Sequence, residues 1–332
     1  MKWKKSAFGI LALGASSALV LAGCSADAGT DSNGDAAAPN EDGYSIAFVQ
    51  GVAGDEFYIT MECGIREAAE AAGATVTVQG PQQFDPTLQR PIVDAVVASQ
   101  PDALLIAPTD VTAMAGPIQA AADAGIQVVL VDTTLEDPSM AVSQISSDNF
   151  GGGEAAFAAI EAANPEGGKV LVVSVNPGIS TTDQRAAGFE AAAAENPAFE
   201  SLGVEYSENN PALAAQIVTA ALQANPDIVG IFAANLFAAE GTATGVQQAG
   251  RDGEVTIVGF DAGPAQVQQL RDGVVQALVA QEPASIGAQG VAQALAALEG
   301  EPTEEIIQTG FTIITADNID GEGGEAAYRS SC

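Results

Sequence analysis

No histidine occurs anywhere in the 332 residues. That removes the commonest general base and the commonest transition-metal ligand. Basic side chains are scarce as well: 10 Lys and Arg stand against 43 Asp and Glu, a formal charge of −33. So acidic a surface repels phosphate backbones and anionic bilayers, which argues against nucleic acid as a partner. Only 3 cysteines are present, and without histidine they are too few for a zinc or iron–sulfur centre. Neither G-x-x-x-x-G-K-[ST] nor a G-x-G-x-x-G after the first strand occurs, so the GGG at 151–153 is read as close packing or a hinge turn rather than a phosphate loop. The D-x-D pattern of aspartate phosphatases is missing at LVDTT and GFDAG. No enzyme activity and no cofactor are expected. Aromatic residues make up 5% of the chain, yet Phe57 and Tyr58 stand side by side where a helix begins.

The first apolar run, SAFGILALGASSALVLAG, follows the basic MKWKK and ends in Leu21-Ala22-Gly23-Cys24. That is a signal-peptide pattern closing on a sequence that resembles the lipobox of bacterial lipoproteins. It implies that Cys24 is lipidated and that the protein is anchored to the outer face of the cell membrane. An ordinary secretory signal or an N-terminal membrane helix are the alternatives. Residues 25–43 are small and acidic, with too little apolar surface to fold, and read as a flexible tether. Cys63 and Cys332 remain. In an oxidising compartment they are expected to bond to each other, with two separate thiols as the alternative.

From Tyr44 onward, strand-like and helix-like runs alternate. YSIAFVQ, ATVTVQG, DALLIAP and IQVVLVD read as strands; after a link at VSQISSDN come GGKVLVVSV, GVEYSE, DIVGIFA and VTIVGFD. Helical runs separate them; the first places Phe57, Met61, Ile65, Ala68 and Ala72 on one face. Pro117 is expected to kink or delay the third helix. The two halves repeat each other: SQPDALLIAPTD matches ANPDIVGIFAANL, and AADAGIQVVLVDTT matches QQAGRDGEVTIVGFDAG. Such alternation predicts an α/β fold of two similar Rossmann-like lobes with parallel sheets. The last runs, through EEIIQTGFTIIT, are expected to supply one more strand, helix and strand that cross back and form a multi-strand hinge. The expected division is residues 44–146 plus 282–310 for one lobe and 147–281 plus 311–332 for the other, with the tail returning toward the first lobe, where a bond from Cys332 to Cys63 would make it a strap across the hinge side.

Ligands of open parallel sheets bind beyond the carboxyl ends of the strands. Those ends carry Gln50-Gly51, Asp132, Asn235 and Asp261. A carboxylate there can accept two hydroxyl protons, although Asp261 could instead cap the helix that follows it. Arg185 is one of few bases, and its planar fork suits two adjacent ring oxygens; a surface ion pair is the plainer alternative. Phe57 and Tyr58 could stack on the apolar face of a sugar ring, or serve as core anchors of their helix.

IAPTD at 106–110, the VLVD strand end, ISSDNFGGG at 145–153, QRAAGF at 184–189, IVGFDAGP at 257–264 and AQEPASIG at 280–287, taken in this order, resemble the type I periplasmic binding proteins, and among them the ribose-binding group of sugar transport proteins. The resemblance spans about residues 44–315. It implies that Arg185, in its R-x-x-G-F setting, and Asn235 and Gln281 hydrogen-bond a sugar, that the early aromatics wall its ring, and that Asp55 stands where many members have asparagine. Asp148 and Asn149 are read as hinge or capping residues. Two departures bear on the ligand. Thr133 follows Asp132 where the ribose-binding pattern has arginine, and Asn209 falls where a second aromatic wall is usual. Three acids against one arginine disfavour an anionic ligand. The resemblance thus implies a monomeric solute-binding protein that delivers a neutral sugar, polyol or cyclitol to an ABC transporter permease. The alternative is a sensor lipoprotein for a sugar-like, nucleoside or quorum compound.

Overall fold

The computed structural model describes residues 43–332. The expected leader, the lipidation site Cys24 and all of the tether except Gly43 lie outside the described residues.

In chain order, the first half runs β1 (Ser45–Val49), α1 (Glu56–Ala71), β2 (Thr75–Gln79), α2 (Pro86–Ser99), β3 (Ala103–Ile106), α3 (Ala115–Asp123), β4 (Gln127–Val131) and β5 (Ser143–Ser147). The second half runs α4 (Asn149–Ala163), β6 (Gly168–Ser174), α5 (Ser180–Glu195), β7 (Phe199–Tyr206), α6 (Pro211–Ala224), β8 (Ile228–Ala233), α7 (Leu236–Gln248), β9 (Thr256–Phe260), α8 (Pro264–Arg271) and β10 (Ala277–Gln281). Then come α9 (Pro283–Glu299), β11 (Ile306–Thr309), β12 (Phe311–Thr315) and a short α10 (Glu322–Glu325).

Two six-stranded sheets result, ordered β11-β5-β4-β3-β1-β2 and β12-β10-β9-β8-β6-β7. Their wiring is the same: β1 and β6 each lie between the strand that follows and the strand after that. All pairings are parallel except β10 with β12. The strands facing helices on both sides are continuous apolar runs; every residue of β3 and β9 is buried, as a doubly covered parallel sheet requires.

VSQISSDN contains strand β5 of the first sheet, not merely a link. Its two buried serines disguise it, because Ser143 and Ser147 occupy inward positions that usually carry aliphatic residues. EEIIQTGFTIIT is two strands rather than one: β11 joins the first sheet and β12 the second. The short break at Gly310 lets adjacent residues pair in different lobes. Pro117 delays its helix, falling in the first turn of α3, where no intrahelical amide is needed. On α1 the buried stripe runs Phe57, Met61, Ile65 and Ala69, while Ala72 is exposed.

The chain passes between the lobes after β5, after β10 and between β11 and β12. These segments are stitched together. Asp148 donates its amide to Thr309 O at 2.9 Å. Ser147 Oγ donates to Gln281 Oε1 at 2.8 Å. The glycines at 151–153 serve packing: a Cβ at Gly153 would strike the Arg185 carbonyl, and one at Gly188 the Phe150 carbonyl, so α4 and α5 meet at backbone distance.

Candidate functional site

Beyond the carboxyl ends of both sheets lies a cleft of about 400 Å³, counting the solvent-open space at its mouth. The first half contributes Asp55, Phe57, Tyr58, Phe84 and Asp132. The second contributes Val175, Ile179, Thr181, Thr182 and Arg185, with Asn209, Asn235 and Asp261 at further strand ends. Gln281, from the second crossing, closes the floor.

Asp55 caps α1, its Oδ1 accepting the Phe57 amide at 2.8 Å. Asp132 follows β4 in the left-handed region, φ 65°, and accepts the Tyr58 hydroxyl at 2.7 Å. Asp261 follows β9 in the same conformation, φ 78°. It does not cap α8, whose N-cap is Gly263 and carries no side-chain bond. Its Oδ2 instead accepts the Leu236 amide at the start of α7, at 3.1 Å, and its Oδ1 accepts Gln281 Nε2 at 2.7 Å.

Arg185 is 3% exposed and makes no ion pair among the described residues. Nε donates to Asn149 Oδ1 at 2.8 Å and Nη1 to Ala234 O at 2.9 Å, while the guanidinium carbon lies 3.8 Å from the Phe260 ring centroid. Phe260 supplies a π face for the charge, and Asn149 fixes the fork. Thus Asn149 orients the arginine from outside the cleft lining, and Asp148 caps α4 through the Gly151 amide.

Burial is the largest influence on Asp132 and raises its carboxyl to about 6, against the pull of Arg185 and of the Tyr58 hydroxyl. Burial also holds Asp55 well above the usual carboxylate range, and the Asp261 charge adds to this. Tyr58 is pushed up by burial and by Asp132, so its phenol remains a donor at neutral pH.

The expected aromatic wall has a different shape from two parallel plates. The Phe57 and Tyr58 rings are perpendicular, 79° apart with centroids 5.1 Å distant, so the two cannot lie flat on the same ring. Gly51 and Thr133 are not part of the lining. Gly51 is where Tyr58 and Phe84 pass close by, with no room for a Cβ. The Thr133 hydroxyl turns back to Pro108 O at 2.7 Å. Asn209 does line the cleft; its φ is 56°, and its Oδ1 accepts from Asn235 Nδ2 at 2.7 Å.

Sequence reasoning missed Phe84, Val175, Ile179, Thr181 and Thr182. Since β6 repeats β1, the segment after β6 holds the place that 50–58 holds after β1; the internal repeat was the available signal. Thr182 stands out: its hydroxyl is buried with no hydrogen-bond partner among the described residues. Among the described residues no group of three or more acidic or cysteine side chains is placed to hold a metal ion.

The model of a periplasmic binding protein domain matches residues 46–302. The chain belongs to this family, of type I and ribose-binding-like. The ribose import binding protein of Escherichia coli is 30% identical over 78% of this chain and 86% of its own length. A solute-binding protein of an ABC transporter from Agrobacterium vitis, solved with α-D-tagatopyranose, is 42% identical, covers 86% of this chain and 99% of its own, and superposes with a TM-score of 0.84. Another from the same organism, with bound D-fucose, is 29% identical with a TM-score of 0.82 over 86% and 100% of the two chains. The family match ends before β11, β12 and the C-terminal tail.

Proposed function

We propose that this protein is the extracytoplasmic solute-binding component of an ABC importer and that its cleft takes an uncharged sugar, polyol or cyclitol. The observation that carries this reading is the meeting of Asp132, from one lobe, with Arg185 and Asp261, from the other, in one buried gap walled by Phe57 and Phe84. The carboxylates accept hydroxyl protons, the guanidinium donates to ring or hydroxyl oxygens, and the aromatic carbon covers C–H faces. Asp55, Asn209, Asn235 and Gln281 complete the polar rim. A ligand spanning both lobes stabilises their closed arrangement, which a permease can then read. The sugars carried by the relatives favour a monosaccharide over a nucleoside.

The expected N-terminal features belong to this reading. Lipidation at Cys24 would hold the folded part outside the membrane on the tether. The Cα atoms of Cys63 and Cys332 are 5.3 Å apart, a spacing that suits a disulfide in that compartment.

A thermal-shift screen with D-tagatose, D-ribose, D-allose, D-fucose, polyols and nucleosides tests the function. A ligand at a hundredfold excess over its Kd stabilises by about 2.7 kcal/mol. A shift with a neutral sugar, lost in Arg185→Ala, is the expected result; a shift only with charged compounds would overturn the reading.

A further inference from the structure

The chain beyond β12 has no counterpart in the first half. Asn318 closes a turn onto Thr315 N and Ile313 O, and α10 follows. Tyr328 then docks on the second lobe, its amide donating to Ala262 O at 2.9 Å. Its ring is 5% exposed and tilts against Phe57, centroids 6.0 Å apart. Its hydroxyl donates to Asp261 Oδ1 at 3.0 Å and accepts the Gln281 amide at 2.9 Å. One residue later the chain has reached the first lobe. Arg329 N donates to Thr60 Oγ1 of α1 at 2.8 Å, the Arg329 guanidinium pairs with Glu67 at 2.9 Å, and Cys332 lies beside Cys63 of the same helix.

The tail is therefore a fourth passage between lobes, and it carries a side chain to the back of the cleft. Its role there has a parallel. Tyr58, from α1, donates to Asp132. Helix α5, the counterpart of α1, has no tyrosine. Tyr328 supplies the equivalent phenol to Asp261 from the tail. Burial pushes the Tyr328 phenol up, so it stays protonated and donates at neutral pH. With Gln281 Nε2 on the same carboxylate oxygen at 2.7 Å, Oδ1 is doubly occupied. Oδ2, which accepts only the longer bond from Leu236 N, is the atom left with capacity for a ligand.

We propose that Tyr328 is a positioning residue that aims Asp261 at the solute, and that the attachment of the tail to α1 through Cys63 and Cys332 keeps it there, so that solute affinity depends on that cysteine pair being bonded. The solute-binding role of the cleft is assumed in this. Two-electron reduction by an external dithiol converts the bond to two thiols, the dithiol leaving as its own disulfide. The tail's polar hold on α1 then rests on Arg329, through Thr60 and Glu67, and Tyr328 departs more often.

Three forms of the protein test this: native, Tyr328→Phe, and the Cys63→Ser/Cys332→Ser double variant. Phenylalanine keeps the packing on Phe57 and removes only the hydroxyl. Calorimetric titration with the sugar that shifts the native protein should show about tenfold weaker binding by Tyr328→Phe, together with a lower Tm because the buried Gln281 amide loses its acceptor. Adding Asp261→Asn to Tyr328→Phe should cost less than the two separate losses combined, which a merely structural role would not produce. In ligand-free protein, hydrogen exchange at the Gln281 amide and across 326–332 should be faster in the cysteine variant and in native protein treated with dithiothreitol. Equal affinity of Tyr328→Phe and native protein, or unchanged Gln281 exchange in the cysteine variant, overturns the proposal. If the native protein binds no sugar, the solute reading falls, while the exchange data still decide whether the tail holds Tyr328.

Discussion

Asp132 and Asp261 are the same residue of a duplicated lobe. Each directly follows a buried strand, each has positive φ, and each donates its amide to the strand alongside: Asp132 N to Ile145 O and Asp261 N to Val279 O, both at 2.8 Å. A non-glycine residue in that backbone region costs about 1–2 kcal/mol, which a carboxyl side chain tolerates better than most. The turn bends each strand end so that its carboxylate enters the cleft.

Replacing either aspartate by asparagine keeps the shape and removes an ionised acceptor. Charge-assisted hydrogen bonds contribute about 1.5–3 kcal/mol, so each variant should bind the sugar about ten- to a hundredfold more weakly by calorimetric titration. Asp261→Asn should also lower the Tm, because Leu236 N, Gln281 and Tyr328 all rely on its carboxylate.

Affinity should depend on pH with a definite sign. Asp132 titrates at about 6 in the folded protein, chiefly through burial, above the ordinary aspartate value. The empty fold therefore holds a proton that the unfolded chain releases at lower pH. The stability this contributes is complete below about pH 4 and is lost as pH rises through about 6. Binding runs the other way, since hydroxyl donors favour the ionised form. Sugar affinity should fall below pH 6, approaching about tenfold per pH unit, and Asp55, raised by burial and by Asp261, acts in the same direction. Titrations in buffers of different ionisation enthalpy should show proton release on binding at pH 6 and almost none at pH 8.

Thr182→Val separates stability from binding. A buried hydroxyl with no partner costs about 1–3 kcal/mol, so the isosteric valine should leave the Tm unchanged or raise it. If the hydroxyl serves the ligand, sugar affinity should drop severalfold in the same protein. An unchanged Kd would remove Thr182 from the contact set.

Gly51→Ala should act at a distance from the ligand. Its Cβ would collide with the Tyr58 hydroxyl and the Phe84 ring. Relief requires Tyr58 to leave Asp132, at an overpacking cost of about 1–3 kcal/mol. A lower Tm together with weaker sugar binding is expected, measured by calorimetry and titration.

Asn209→Phe tests why an aromatic residue is missing there. The position has φ 56° and its side chain accepts from Asn235. A bulky side chain in that region should destabilise by about 1–2 kcal/mol and free Asn235, lowering the Tm by differential scanning calorimetry without tightening binding of the sugar.

The sequence by itself determined the lobes and most of the cleft. Apolar runs ending in Asp132, Asn235 and Asp261 mark strand ends, because a buried parallel strand must be apolar and its exit need not be. The Arg185-Ala-Ala-Gly188-Phe189 pattern marked the arginine through its resemblance to the ribose-binding group, not through any local rule. Tertiary structure decided the rest. β5 was hidden because its inward serines break the apolar pattern. β11 and β12 read as one strand because no local rule says that a single glycine separates two sheets. Phe57 and Tyr58 are adjacent in sequence, but only the helix geometry set their rings perpendicular. The return of Cys332 to α1 was legible from the cysteine pair, but Tyr328 lies 67 residues from Asp261 in a polar tail without periodicity, so its place behind the cleft depends on long-range packing that local sequence does not encode.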